Sequence, residues 1–348
     1  MKTLYKKIED NREESNEAIG QAAEILKTGG LVAFPTETVY GLGANALSAD
    51  AAAKIYAAKG RPSDNPLIVH ICGKDMLYEI TEDISEKARL LVDIFWPGPL
   101  TLVLKKKAVI PDVISGGLPT VAVRMPENNI ALELIKAAGI PVAAPSANSS
   151  SKPSPTVAEH VLEDLNGKID MIIDGGHTVY GLESTIVDVS GDSVRLLRPG
   201  AVTVDMLEEA IGEVEICTEA FGEGEKPPAP GMKYKHYAPK AELFIIKSKT
   251  RAQGAEHVKK MLLKTRVKYA VIATEEYREL YCGFDNIYYM GPEAQPDIIA
   301  ENLFDILRSL DENKIEMAYA HGISESGIGH AIMNRLSKAA AYNIIDLS

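Results

Sequence analysis

Cysteine is scarce in this chain of 348 residues: only Cys72, Cys217 and Cys282, far apart and with no C-x-x-C pair. That spacing excludes a disulfide framework and argues against a structural zinc site, and it suits a reducing, cytoplasmic setting. No apolar run approaches the length needed to span a bilayer, and the opening MKTLYKKIEDNREESNE has no hydrophobic signal-peptide core. No membrane association is therefore expected. Basic charge is also in short supply. The formal net charge is −12, which argues against a protein that coats nucleic acid without sequence preference. The familiar nucleotide and hydrolase signatures are missing too. There is no G-x-x-x-x-G-K-[ST] loop, no kinase motif set, no H-E-x-x-H and no Ser-His-Asp or Cys-His pattern. Any ATP site must be of a less common type. Neither internal repeats nor low-complexity tracts appear.

What remains is an ordinary globular composition, 46% hydrophobic and 25% charged, in a chain long enough for two domains. The segment EAFGEGEK at 219–226 is followed by Pro227-Pro228-Ala229-Pro230-Gly231, which can continue neither a helix nor a central strand. We place the division there: a domain over 1–218, a Pro/Gly-rich linker over 219–240 and a second domain over 241–348. In the first, strand-like runs fall at 31–34, 67–71, 101–104, 121–124, 142–144, 171–173, 185–189 and 194–197. Helical patterns fall at 16–28, 51–59, 85–95, 130–138, 156–165 and 203–211. Some neighbouring strands have no helix between them, so this sheet is expected to be mixed. The second domain alternates strand and helix regularly from 242 to 340, which predicts a smaller parallel sheet. Leu303, Ile306, Leu307 and Leu310 share one helix face there. With no G-x-G-x-x-G after its first strand, it is not read as a dinucleotide site, and His321 and His330 are read as structural.

Polar groups cluster where strands end. Pro35-Thr36-Glu37-Thr38-Val39-Tyr40-Gly41-Leu42-Gly43 follows an apolar strand, a place where α/β proteins bind ligands; it also reads as a polar turn into the next helix. Lys59-Gly60-Arg61-Pro62-Ser63-Asp64-Asn65 offers two cations and a hydroxyl at a helix end, suited to phosphate or simply to the helix dipole. In Thr120-Val121-Ala122-Val123-Arg124, alternation puts Thr120, Ala122 and Arg124 on one face, and an inward arginine needs an anionic partner. Ala144-Pro145-Ser146-Ala147-Asn148 is a hydroxyl-rich loop, and Glu183-Ser184-Thr185-Ile186-Val187-Asp188 leads towards Leu197-Arg198-Pro199-Gly200. Cations are frequent along this half: Lys54, Lys59, Arg61, Lys105, Lys106, Lys107, Arg124 and Lys152. An acidic protein with a local cationic pocket suits a small polyanion better than a duplex.

In this order the blocks PTETVYGLG, KGRPSDNPL, TVAVRMP, APSAN, ESTIVD and LLRPG resemble the L-threonylcarbamoyl-AMP synthase family in its long, two-domain form. The resemblance covers about 20–211, and GMKYKHYAP at 231–239 is similar to that form's linker. It implies a YrdC-like mixed, twisted α/β sheet with helices, plus a smaller Rossmann-like parallel α/β C-terminal domain. It also implies a nucleotidyltransferase reaction in which L-threonine, bicarbonate or CO2, and ATP give threonylcarbamoyl-AMP and pyrophosphate. A downstream threonylcarbamoyl transferase complex then modifies an adenosine beside the anticodon of transfer RNA, with only transient tRNA contact expected here. By the resemblance, Thr36, His70, Arg124 and Ser184 contact threonine. Lys59, Ser63, Thr120, Ser146, Asn148, Ser154 and Arg198 contact ATP, with Tyr234 and Tyr237 of the linker closing over it as a lid. Lys59 and Arg61 supply the catalytic positive charge. Mg2+ is expected to be held mainly by ATP phosphates rather than by a protein metal site. For His70, a satisfied core histidine is an equal expectation. Two other readings compete: an RNA-binding YrdC-like module without ATP turnover, and a hydrogenase-maturation carbamoyl transferase. Members of the latter are longer and carry C-x-x-C zinc repeats absent here.

Overall fold

A computed structural model describes residues 2–8, 12–217, 227–232 and 236–348. They divide into two compact units, one of 1–150 with 154–234 and the other of 151–153 with 235–348. In the first unit the strands are β1 (Leu4–Lys7), β2 (Val32–Phe34), β3 (Gly41–Asn45), β4 (Ile68–His70), β5 (Leu100–Lys105) and β6 (Thr120–Arg124). They continue with β7 (Val142–Ala143), β8 (Met171–Asp174), β9 (Thr185–Asp188), β10 (Arg195–Arg198) and β11 (Glu215–Ile216). Together they form one sheet in the order β1-β8-β2-β3-β7-β4-β6-β5-β9-β10-β11. It is mixed, as the short connections require: β4 lies parallel to β6 and β5 to β9, while β3/β7, β4/β7, β5/β6 and β9/β10 are antiparallel.

Side-chain alternation gives this sheet two different faces. Val69, Leu102, Leu104, Val121, Val123 and Val187 join one core cluster with Ala52, Ile55, Ala88, Leu91, Ala158 and Val161 from helices Ala49–Lys59, Glu86–Phe95 and Ala158–Leu165. On the other face, helices Arg12–Lys27 and Asn129–Ala138 cover only the part built by β8, β2 and β7, through Ile19, Ala23, Leu26, Leu134 and Ile135. Further along, the same alternation presents Ile68, Val103, Ala122, Ile186 and Leu197, and the cluster they form holds Ala229 of the Pro-rich segment, fully buried. Among the described residues no helix contributes to that cluster, and its strands carry Thr101 near the start of β5 and His70, Arg124 and Arg198 at the ends of β4, β6 and β10. The fold thus leaves this part of the face to a strap and to polar side chains.

Local signals explain the helix ends. Ser48 caps Ala49–Lys59 by accepting from the Ala51 N–H at 3.2 Å, and Gly60 closes it at φ 63°. Of the segment 35–43, which reads either as a ligand-binding stretch or as a polar turn into the next helix, residues from Gly41 onward form β3, between β2 and β7, rather than entering a helix. A GLGAN segment carries little strand propensity, but a Cβ at Gly43 would meet Phe34 at 2.8 Å and Val142 at 2.9 Å. Close approach of the neighbouring strands, and not propensity, dictates glycine there. Strand β1, all four residues exposed, and helix Lys74–Ile80 carried no sequence signal strong enough to be expected.

The second unit is a parallel sheet of β12 (Glu242–Lys247), β13 (Tyr269–Ala273), β14 (Ile287–Tyr289), β15 (Met317–His321) and β16 (Ile344–Asp346), in the order β14-β13-β15-β12-β16. Leu303, Ile306, Leu307 and Leu310 are all buried, as their shared helix face predicts. His321 is buried against Tyr277, with Nε2 2.6 Å from the Tyr281 hydroxyl. Among the described residues no helix is long and apolar enough to cross a membrane.

The turn after β10 offers a direct check. A Cβ at Gly200 would lie 2.4 Å from the Thr185 amide nitrogen and 2.7 Å from its hydroxyl oxygen. Gly200→Ala is expected to lower unfolding stability by about 1–3 kcal/mol, the usual cost of overpacking. An unchanged denaturant midpoint would contradict that close approach.

Candidate functional site

The loop 35–40 is fixed by its own hydroxyls and backbone. Thr36 Oγ1 donates to the Val39 carbonyl at 2.7 Å and accepts from the Thr38 amide at 3.1 Å. The Glu37 carbonyl accepts from the amides of Val179 and Tyr180 at 3.1 and 2.9 Å. These ties turn the Glu37 side chain inward, where it is 3% exposed. Arg124, at the end of β6, is equally buried. Its Nε donates to the Gly98 carbonyl at 3.3 Å and its Nη1 to Thr38 Oγ1 at 2.8 Å, and Nη2 lies 2.7 Å from Glu37 Oε1. The anionic partner that an inward arginine needs is therefore supplied within the chain. A ligand carboxylate would have to share this guanidinium with Glu37 and Thr38.

His70 ends β4 in register with Arg124. Its Nδ1 is 3.2 Å from the Ile68 carbonyl, and the ring stands edge-on to Phe34. Burial, then the Arg124 charge, push its pKa down to about 3, so the imidazole is neutral at ordinary pH. Next along the sheet edge, Ser184 Oγ is 2.7 Å from Thr101 Oγ1 and accepts from Arg198 Nη2 at 3.1 Å. Arg198 Nε donates to the Ser184 carbonyl at 3.0 Å and Nη1 to the Pro230 carbonyl at 3.4 Å, tying the strap to the sheet. Ser154, fully buried, donates to Glu183 Oε1 at 2.5 Å.

Lys59 forms the second cluster. It is the last residue of its helix, 4% exposed, and its Nζ donates to the carbonyls of Ser146 and Asn148. Asn148 Oδ1 lies 3.3 Å away and accepts from Ser146 Oγ at 2.6 Å. The Ser150 amide donates back to the Lys59 carbonyl at 2.9 Å. One helix end and one hydroxyl-rich loop thus converge around a single ammonium group.

Of the residues singled out in the sequence, the fold gathers Thr36, His70 and Arg124 with Glu37, links Ser184 to Arg198, and unites Lys59, Ser146 and Asn148. Others stand apart. Arg61 donates to the Asn65 and Pro66 carbonyls of its own loop at 3.4 and 3.0 Å, and Ser63 on that loop is exposed. Thr120 begins β6, roughly 13 Å of strand from Arg124 at about 3.3 Å per residue. Tyr237 belongs to the second unit, where its ring lies 5.1 Å from that of Phe304. Tyr234 lies outside the described residues. Sequence reasoning passed over Glu37, Thr38, Thr101 and Glu183. For Glu37 the signal was present: a carboxylate between two threonines directly after an apolar strand.

Comparisons with known proteins agree along the whole chain. Residues 24–200 match a family model described as telomere recombination, and residues 202–341 match one for the C-terminal domain of threonylcarbamoyl-AMP synthase. The chain is 48% identical over 328 residues to a threonylcarbamoyl-AMP synthase of Pyrococcus abyssi, covering 93% of this chain and 94% of that one. It is 46% identical over 348 residues to a Bacillus subtilis protein of the same name, covering 99% of each. A crystal structure of P. abyssi Sua5 complexed with L-threonine superposes with a TM-score of 0.91 at 45% identity, covering all of both chains.

His70 makes a measurable demand on pH. Its folded pKa of about 3 lies below the ordinary value near 6.5, so the native state binds fewer protons than the unfolded state. Its contribution to stability is complete above pH 6.5 and is lost as pH falls towards about 3. Between pH 6.5 and 4.5 this amounts to roughly 2–3 kcal/mol. In His70→Gln, the loss of stability between pH 7 and 4.5, read by denaturant unfolding, should shrink by about that amount. His321, pushed down to about 4 by burial, keeps its own share in both proteins. An equal loss in the two proteins would contradict the neutral, buried imidazole.

Proposed function

The chain belongs to the threonylcarbamoyl-AMP synthase family, and from that premise we propose that it joins L-threonine, CO2 or bicarbonate, and ATP into threonylcarbamoyl-AMP with release of pyrophosphate. The observation that carries this reading is a convergence: family identity along the full chain, together with a buried acid–arginine cluster at one sheet edge and a buried ammonium group in a hydroxyl-rich loop. A free amino acid needs the first, and a triphosphate needs cations such as the second.

The reaction asks for no enzyme nucleophile. The neutral amine of threonine attacks CO2; a C–N bond forms, a C–O π pair moves onto oxygen, and loss of a proton leaves a carbamate. A carbamate oxygen then attacks the α-phosphorus of ATP, and the bond to the β-phosphate oxygen breaks, releasing pyrophosphate. Holding three reactants together and offsetting charge supply the catalysis. Thr36, His70, Arg124 and Ser184 take the amino acid, and His70, being neutral, adds no charge beside Arg124. Lys59, Ser63, Thr120, Ser146, Asn148, Ser154 and Arg198 take the nucleotide, and Lys59 and Arg61 offset the triphosphate charge. For Lys59 to reach a phosphate it must exchange part of its hold on Ser146 and Asn148. Arg198 bonds the strap at Pro230, so the strap that would close over nucleotide is already coupled to a proposed nucleotide contact.

Among the described residues no group of three or more His, Cys, Asp or Glu side chains is placed to hold a metal ion. We take Mg2+ to arrive with ATP, held mainly by its phosphate oxygens, and no step above is routed through it. The product is a reactive mixed anhydride, suited to a downstream transferase that modifies an adenosine beside the anticodon of transfer RNA.

Pyrophosphate release from ATP should require both L-threonine and bicarbonate; turnover unchanged when threonine is omitted would overturn the assignment. Lys59→Ala should lower kcat by about 100-fold, the scale seen when one charge-stabilising donor is removed, with the far-ultraviolet circular dichroism unchanged. Wild-type turnover in a folded Lys59→Ala protein would refute its role.

A further inference from the structure

Glu37 carries an unmet demand. Its carboxylate is 3% exposed, and Oε2 has no hydrogen-bond donor among the described residues. Oε1 sits 2.7 Å from Arg124 Nη2 but off the hydrogen-bonding direction, so it too lacks a hydrogen bond. Native interiors rarely leave a buried anion so poorly satisfied. The loop's shape gives no reason for a carboxylate, because the Thr36 hydroxyl and the Glu37 backbone carbonyl already fix it. Pairing with Arg124 uses Oε1 and leaves Oε2 for something else.

Its surroundings name the chemistry. The guanidinium and the carboxylate cancel, so the buried cluster is neutral before any ligand enters. A second net charge would be costly there, whereas a zwitterion brings one charge of each sign and leaves the balance unchanged. A zwitterion's carboxylate suits Arg124, and its ammonium suits the oxygen that no described residue satisfies.

We propose that Glu37 Oε2 accepts the α-ammonium group of the amino-acid substrate, while Oε1 of the same carboxylate holds Arg124 for the substrate's carboxylate. This rests on the reading of the cluster as the L-threonine subsite and adds to it a binding residue for the amine. It defines the ligand class as free α-amino acids: a compound with a hydroxyl or an acylated nitrogen in place of the ammonium group keeps at most a neutral hydrogen bond and loses the ion pair.

The test is calorimetric titration of the full chain, in the presence of a non-hydrolysable ATP analogue, with L-threonine and with its deaminated analogue 2,3-dihydroxybutanoate of matching configuration. Wild-type protein should bind threonine roughly 10- to 100-fold more tightly, the range for a hydrogen bond to a charged group. In Glu37→Gln the two affinities should agree to within about twofold, because the missing interaction no longer distinguishes the ligands. A preference that survives intact in Glu37→Gln would overturn the proposal while leaving the threonine subsite standing. If Glu37→Gln fails to fold, two readings remain. Glu37→Asp, which draws the charge back by one methylene, should narrow the preference, and an undiminished preference would overturn the proposal. Equal binding of the two ligands by wild-type protein would overturn it without any variant. Absence of threonine binding to wild-type protein would instead bring down the functional reading itself.

Discussion

A guanidinium group with almost no exposure cannot sit at the end of a central strand without an anion beside it, and much of the first unit is arranged around that demand. Arg124 ends β6 beyond the part of the sheet face that helices Arg12–Lys27 and Asn129–Ala138 cover, and the loop 35–40 brings Glu37 to it from another part of the sheet. Taking away one member of such a buried pair commonly costs about 3–5 kcal/mol, because the survivor is left charged and unpaired. The pair therefore joins the loop to β6. The loop's ties to Val179 and Tyr180 hold it there, and the charge of Arg124 helps keep the neighbouring His70 neutral. Local electrostatics and chain topology are one constraint here.

That constraint divides the sheet's labour. One face is apolar along its length and packed by helices, which supplies the hydrophobic stabilisation a mixed sheet needs. The other face is apolar and helix-covered over β8, β2 and β7, apolar again where Ile68, Val103, Ala122 and Ile186 meet Ala229, and polar beside that second patch. A floor of this kind suits a ligand with an apolar body and charged ends. Pro227, Pro228 and Pro230 restrict the segment that packs Ala229 against it, and Arg198 anchors it through the Pro230 carbonyl.

Much of this was legible in the residues. The strands with clear alternation, such as 120–124 and 185–188, could be placed because one face is buried and period two is enforced. The mixed character of the sheet followed from short connections, and the parallel second sheet from regular alternation. Strand β3 was illegible because its glycines answer to Phe34 and Val142, neighbours that sequence order does not reveal. The clusters were legible as blocks but not as contacts. Arginine spacing pointed Arg124 inward, yet nothing local could name Glu37 as its partner across 87 positions of chain. Arg61 and Lys59 look alike in sequence, two cations at a helix end. Only the fold separates them, since one bonds its own loop and the other reaches the distant Ser146–Asn148 loop.

The central claim is that the Arg124–Glu37 edge and the Lys59 loop are two halves of one site, for an amino acid and a triphosphate. A crystal structure of the full chain with L-threonine and a non-hydrolysable ATP analogue tests it most directly. The account predicts threonine in hydrogen-bond contact with both members of the Arg124–Glu37 pair, and the triphosphate against Lys59 and Arg198 with its α-phosphorus facing the amino acid. Ligands bound elsewhere, with the pair and the Lys59 ammonium group touching only protein, would contradict it.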